Sequence, residues 1–169
     1  MTPRERASRA GGIREAKKQD AEKIAALINA AYLPAEGFLY DGPRVSVEEV
    51  SKKLASGTFL LRATSIGSLE GCVYVKVRGT TGYFELLSVS TERQHHGVGR
   101  NLVSAAETFC RTRGCDAVEI DVVNHRQELF PFYGGLGYHV IGNRPFEDAR
   151  LNRPCHFVMM RKSLPNAGA

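Results

Sequence analysis

The stretch Tyr83-Phe84-Glu85-Leu86-Leu87-Ser88-Val89-Ser90-Thr91-Glu92-Arg93-Gln94-His95-His96-Gly97-Val98-Gly99-Arg100-Asn101-Leu102 decides the fold. Residues 83–90 are apolar on both alternating faces except at Glu85, the pattern of a strand inside a sheet. A polar loop with two glycines follows. It opens a helix whose apolar side carries Val98, Leu102, Ala105, Ala106, Phe109 and Cys110 and which ends at Gly114. A helix N-terminus presents unpaired N–H groups and a positive dipole end, and glycines let the backbone approach an anion. Such a turn cradles a diphosphate, and Arg93 and Arg100 flank it. No lysine follows Gly99, so this is not a P-loop. Only Gly97 and Gly99 fit a dinucleotide fingerprint, and the loop lies past mid-chain. Taken alone, the loop is equally well read as a plain strand-to-helix turn.

Working outward, Gly12–Ala16 reads as a short strand. A helix starts at Asp20, with Ile24, Leu27, Ile28, Ala31 and Tyr32 on one stripe, and stops at Pro34 and Gly37. Ser46 and Glu49 form a capping box before a short helix ending at Gly57. Thr58–Ala63 is an apolar strand. From Cys72 to Arg78 the chain alternates, with Val73, Val75 and Val77 on one face. Ala117–Val123 is a strand and 127–132 a short helix interrupted by Pro131. Tyr138–Ile141 and His156–Arg161 are strands, separated by a loop rich in Pro, Asn and Arg. The order is a mixed α/β sandwich. Residues 1–11 read as a disordered basic tail, 12–163 as a single domain and 164–169 as a C-terminal tail.

The chain has 169 residues, enough for one domain with a substantial core. Its net charge of +5 is concentrated at the start. Arg4, Arg6, Arg9, Arg14, Lys17 and Lys18 stand against Glu5 and Glu15, which leaves +1 for the remaining 151 residues. A nucleic-acid binder carries its excess on a folded face, so no nucleic-acid partner is expected. No run approaches the roughly 18 apolar residues of a membrane span, and no apolar core follows the N-terminus as in a secretory leader. Cys72, Cys110, Cys115 and Cys155 form no C-x-x-C pair, so no metal site is expected; they read as reduced thiols in a cytoplasmic protein. Ser104 has no His or Asp at a spacing that suggests a hydrolase.

The pattern Leu87-Ser88-Val89-x-x-x-x-Gln94-x-x-Gly97-x-Gly99-Arg100-x-Leu102 resembles the acetyl-CoA motif of the GNAT acyltransferase superfamily, an apolar strand followed by R/Q-x-x-G-x-G/A. Downstream, Asn124, Tyr133, Leu136, Gly137 and Tyr138 resemble its second signature. There an Asn ends the fifth strand, a Tyr lies in the next helix and L-G-F/Y follows. The interval from Asn124 to Tyr133 is longer than is common in the family and contains Pro131. The resemblance extends over residues 12–163. It implies a mixed, largely antiparallel sheet of six to seven strands, splayed between the fourth and fifth and flanked by about four helices.

The resemblance also implies acetyl transfer from acetyl-CoA to a primary amine. Backbone amides at Leu87, Ser88 and Val89 would hold the oxyanion. Gln94, His95, His96, Gly97, Val98, Gly99 and Arg100 would hold the diphosphate; the adjacent histidines read equally as a solvated pair. Glu85 matches the general base, on the same side of its strand as Leu87 and Val89, where half-burial favours proton uptake; it reads otherwise as a glutamate on an exposed strand face or in a buried ion pair. Tyr133 matches the general acid that meets the departing thiolate and borders the cofactor; it reads otherwise as a core tyrosine with its hydroxyl satisfied. Asn124 would bond the pantetheine or nearby backbone, with Arg126 and Phe130 along the tail. Glu119 and Asp121 share a strand face, where they draw a cationic substrate or are simply solvated. Tyr32–Arg44 and Gly142–Cys155 are the acceptor-side loops, with Tyr40, Asp41, Glu147 and Asp148. Family members are often homodimers. A non-catalytic acyl-CoA-binding module is the alternative.

Overall fold

The computed structural model describes residues 12–165; the tail expected over 1–11 and the end of the C-terminal tail lie outside the described residues. One seven-stranded sheet divides the molecule, in the order β1-β2-β3-β4-β5-β7-β6. Its strands are β1 (Ile13–Glu15), β2 (Thr58–Ala63), β3 (Leu69–Arg78), β4 (Thr81–Val89), β5 (Ala117–Val123), β6 (His139–Pro145) and β7 (His156–Ser163). Neighbours run antiparallel except β4 and β5. The α-helices among the described residues are α1 (Ala21–Glu36), α2 (Val47–Ser56), α3 (Val98–Thr112) and α4 (Leu129–Gly135). This is the mixed, largely antiparallel α/β architecture expected. None of these helices is long and apolar enough to cross a membrane.

Strand alternation sorts the core onto two faces. Val73, Val75, Val118, Ile120 and Val122 pack with Leu102, Val103 and Ala106 of α3. On the other face Phe59, Leu61, Cys72 and Tyr74 meet Ile24 and Ile28 of α1 and Val50 of α2. The capping box forms as expected. Glu49 N–H donates to Ser46 Oγ (3.1 Å) and Ser46 N–H to Glu49 Oε2 (2.6 Å).

Several boundaries differ from the sequence reading. α1 runs past Pro34 to Glu36, because the proline lies in the last turn and Gly37 N–H still reaches Leu33 O (3.0 Å). β6 continues to Pro145 through the expected loop. It is a sheet edge exposed along nearly its whole length, so it needs no apolar alternation, and its proline stands at the terminus. Leu164, assigned to the tail, is 3% exposed and donates its N–H to Asp116 O at 2.8 Å.

Two irregularities in β4 shape the site. Its parallel ladder with β5 spans only Thr81–Tyr83 against Ala117–Glu119, after which the strands splay. Its register with β3 shifts between Cys72↔Ser88 and Tyr74↔Glu85, so Leu86 and Leu87 share Val73 as partner. Leu86 lies at φ +56° in this bulge. The extra residue inverts the alternation: Phe84 packs on the α3 face and Leu86 on the α1 face, although they are two apart. Leu87 and Val89 then return to the α3 face. Glu85 is therefore not on the side of Leu87 and Val89, as the plain alternation predicts, but faces α2.

Candidate active site

The Gly97 loop ends at the N-terminus of α3. Gly97 takes a left-handed conformation (φ +79°) and, among the described residues, no side chain caps this helix. Its first N–H groups are thus left for an external acceptor. An added Cβ at Gly97 would meet nothing within 4 Å, so the left-handed backbone is what requires glycine there. At Gly99 a Cβ would stand 3.7 Å from Val89 and 3.8 Å from Phe132, ordinary contacts. The fold itself does not need a glycine at 99, and the space in front of it is a cradle that a methyl group would enter. This arrangement fits a bound diphosphate. His95 lies at φ +64° and is exposed, and His96 Nδ1 bonds the Gln94 carbonyl (2.8 Å). Gln94 donates to Val89 O (3.3 Å), folding the loop back on β4.

Ser90 donates its N–H to Glu70 O of β3 (2.9 Å). By alternation, the adjacent amide of Val89 turns away from β3. Ser88 turns inward: it is buried and its hydroxyl donates to Leu86 O (3.0 Å). Of the three expected oxyanion positions, Leu87 borders the cavity in the gap.

A cavity of about 110 Å³ lies in this gap, and Glu85, Leu87, Tyr133, Arg126 and Asp121 all line it. The side chain of Glu85 is half exposed rather than buried, and it pairs with Lys53 of α2. Tyr133 is buried among Phe84, Phe132 and Tyr138, and burial raises its pKa above the ordinary phenol value, an effect Arg126 opposes. Pro131 sits in the first turn of α4, where a missing N–H is tolerated. Asn124 staples the end of β5 to β7: its N–H reaches His156 O and its Oδ1 accepts from His156 N, both at 3.0 Å. Phe130 packs half-buried against the α3-side core. Arg126 is committed to Glu36 (2.8 Å) and Glu128 (2.5 Å) rather than free along a tail.

The two acceptor-side loops are knitted together. Asp41 N–H donates to Arg150 O (2.9 Å) and Asn152 N–H to Leu39 O (3.0 Å). The Arg150 guanidinium donates to Asp148, Pro43 O and Arg44 O. Glu119 and Asp121 are neither free for a cation nor merely solvated, since Arg161 and Arg144 pair with them. They line, with Glu85 and Lys53, a larger cavity of about 520 Å³ on the α2 side of the gap. Burial pushes the thiols of Cys72 and Cys110 up to about 12 and raises those of Cys115 and Cys155. No group of three or more His, Cys, Asp or Glu side chains among the described residues could hold a metal ion.

Sequence reasoning missed Glu36, Lys53 and Glu70. Glu36 is buried at the end of α1 and meets Arg126 from 90 positions away, a pairing with no local signature. Glu70 is buried beside the Gly97 loop, where it pairs with Arg93.

The comparisons with known proteins agree with this geometry. The acetyltransferase (GNAT) domain family matches residues 17–164. No curated protein matches the chain in sequence. Among solved structures, the PaiA N-acetyltransferase of Thermoplasma acidophilum in complex with coenzyme A superimposes with a TM-score of 0.73 at 18% identity, over 90% of this chain and 98% of that one. The ribosomal-protein-S18-alanine N-acetyltransferase of Escherichia coli gives 0.72 at 16% identity, over 94% and 96%. Nourseothricin acetyltransferase gives 0.71 at 23% identity, over 92% and 99%. At these identities the structures speak for the fold, whereas the family match speaks for the sequence itself. With its one parallel strand pair, the splay beyond it and the uncapped helix at the Gly97 loop, the chain belongs to the GNAT acetyltransferase domain family, whose members use acetyl-CoA.

Proposed function

We propose that the protein is a cytoplasmic N-acetyltransferase that moves an acetyl group from acetyl-CoA directly to a primary amine. One observation carries the reading: Leu87, Glu85 and Tyr133 line one cavity in the gap between β4 and β5. Bound acetyl-CoA supplies the activated acyl group. The backbone from Gln94 to Arg100, with the Arg100 guanidinium, holds the diphosphate. Phe130 and the strand end fixed by Asn124 border the pantetheine.

The Leu87 and Val89 amides stabilise negative charge on the carbonyl oxygen as it develops. In the transfer a C–N bond replaces a C–S bond. Glu85 accepts the amine proton, directly or through a water, and Lys53 holds its carboxylate at the mouth of the gap. Burial keeps the proton on the Tyr133 phenol, so this hydroxyl donates a hydrogen bond to the departing sulfur. The raised thiol pKa values support direct attack over an acyl-cysteine route, because a protonated thiol is a poor nucleophile. Incubation with acetyl-CoA and a panel of amines, following free thiol and acetylated product, tests the reading. Thiol release with an amine supports it. Binding of CoA with no release from any amine overturns it in favour of a non-catalytic acyl-CoA-binding module.

A further inference from the structure

A cavity of about 510 Å³ opens between the C-terminal half of α1 and the loop after it, with Tyr32, Leu33, Tyr40 and Pro43 among its walls. Tyr32, Glu36 and Arg44 border both this groove and the small cavity that holds Glu85 and Tyr133. At this junction three polar atoms are buried with no hydrogen-bond partner among the described residues: Glu36 Oε2, the Tyr40 hydroxyl and Arg44 Nε. Glu36 is 3% exposed and Tyr40 6%. Buried polar groups are almost always satisfied, and those that are not call for an explanation.

Their neighbours give these groups little freedom to find partners within the protein. Glu36 Oε1 is engaged by Arg126 at 2.8 Å, which fixes the carboxylate. The Arg44 guanidinium lies over the rings of Tyr32 and Tyr40, 5.5 and 5.1 Å from their centroids. The atom types then specify what is missing. A carboxylate oxygen accepts, Nε–H donates and a phenol does either. An N–H donor beside a C=O acceptor, the arrangement of an amide, satisfies all three. A plain alkylammonium donates to Glu36 Oε2 but offers Arg44 Nε–H no acceptor. A free carboxylate satisfies Arg44 but brings no donor to Glu36.

We infer that this groove is the acceptor subsite and that it selects an amine with an amide beside it: an α-amino amide, either a small amino-acid amide or a peptide N-terminus. This deepens the transfer reading above and rests on it. The amide N–H donates to Glu36 Oε2, its carbonyl accepts from Arg44 Nε and the Tyr40 hydroxyl, and the amine is directed toward Glu85 through the shared cavity.

The test uses the full chain with saturating acetyl-CoA and four acceptors: alaninamide, a tripeptide with N-terminal alanine, alanine and isopropylamine. An amide-bearing acceptor is expected to exceed isopropylamine and alanine in kcat/KM by about tenfold or more. Tyr40→Phe and Arg44→Gln are expected to shrink that ratio several-fold, while CoA affinity measured by calorimetry stays within about twofold. Tyr40→Phe removes one hydroxyl only, so it stands if Arg44→Gln fails to fold. Preference for the tripeptide alone identifies a peptide as the source of the amide, and equal preference identifies the amide itself. Equal turnover of alaninamide and isopropylamine, or an unchanged ratio in Tyr40→Phe, overturns this inference alone. No thiol release from any amine overturns the transfer reading and this inference with it.

Discussion

Arg93 and Glu70 form an ion pair, Nε to Oε1 at 2.8 Å, that ties the Gly97 loop to the sheet. The Glu70 side chain is only 5% exposed and also holds Arg62 Nε at 3.1 Å. Arg62 in turn donates to Asn101 Oδ1 (2.6 Å) in the first turn of α3, while the Glu70 carbonyl accepts from Ser90. One buried carboxylate thus fixes both ends of the loop. Removing one partner of a buried charge pair costs about 3 kcal/mol. Glu70→Gln is expected to lower stability by up to that amount in urea unfolding and to weaken CoA binding about tenfold in calorimetry.

Gly97 and Gly99 separate under the same substitution. Gly97→Ala places a side chain at φ +79° and costs about 1–2 kcal/mol of stability. Gly99→Ala stands in a helix with room for its Cβ, where alanine is favoured by up to about 1 kcal/mol. Its melting temperature is expected to hold or rise while CoA affinity falls at least tenfold. A Gly99→Ala protein with undiminished affinity would place the diphosphate elsewhere.

Glu85→Gln is expected to lower kcat about 100-fold, in line with loss of a general base, with CoA affinity unchanged. Tyr133→Phe is expected to lower kcat by roughly tenfold. Because burial raises the phenol's pKa, its proton stays in place through the working range. The loss should therefore be the same factor from about pH 6 to pH 9, below the ordinary phenol value near 10. A loss that changes steeply with pH within that window argues for a titrating role.

Acid should loosen the acceptor loops. Hydrogen bonds from Arg150 lower the Asp148 carboxyl from 3.8 to about 2, and Arg14 does the same for Asp20. A depressed carboxyl contributes stability that is present above its unfolded value near 3.8 and is lost as pH falls through about 2. Solvent screening limits each pair to about 1 kcal/mol or less. Asp148→Asn is expected to flatten the fall in melting temperature between about pH 4 and pH 2. An unaltered slope would remove Asp148 as a cause.

The helices and inner strands are legible because burial is periodic. Val98, Leu102, Ala106 and Cys110 make a stripe that any helix over these residues must bury. Glu85 shows where periodicity fails. Its residue type and strand were readable, but its face was inverted by a bulge at Leu86, a residue whose type announces no left-handed backbone. β6 escaped in part because an edge strand wetted on both faces carries no alternation. Glu36 and Arg126 come together only once α1 and the turn after β5 are folded. Site chemistry that depends on residues far apart in the chain leaves no local trace.

With three pairs, the ladder between β4 and β5 is as short as the β1–β2 ladder at the sheet edge and is the shortest join in the interior of the sheet. Deuterium should enter at Leu87 and Val89 before it enters the long β3–β4 or β5–β7 ladders. A molecule seated there acts as a rivet, slowing that exchange and lifting the melting temperature of both halves together.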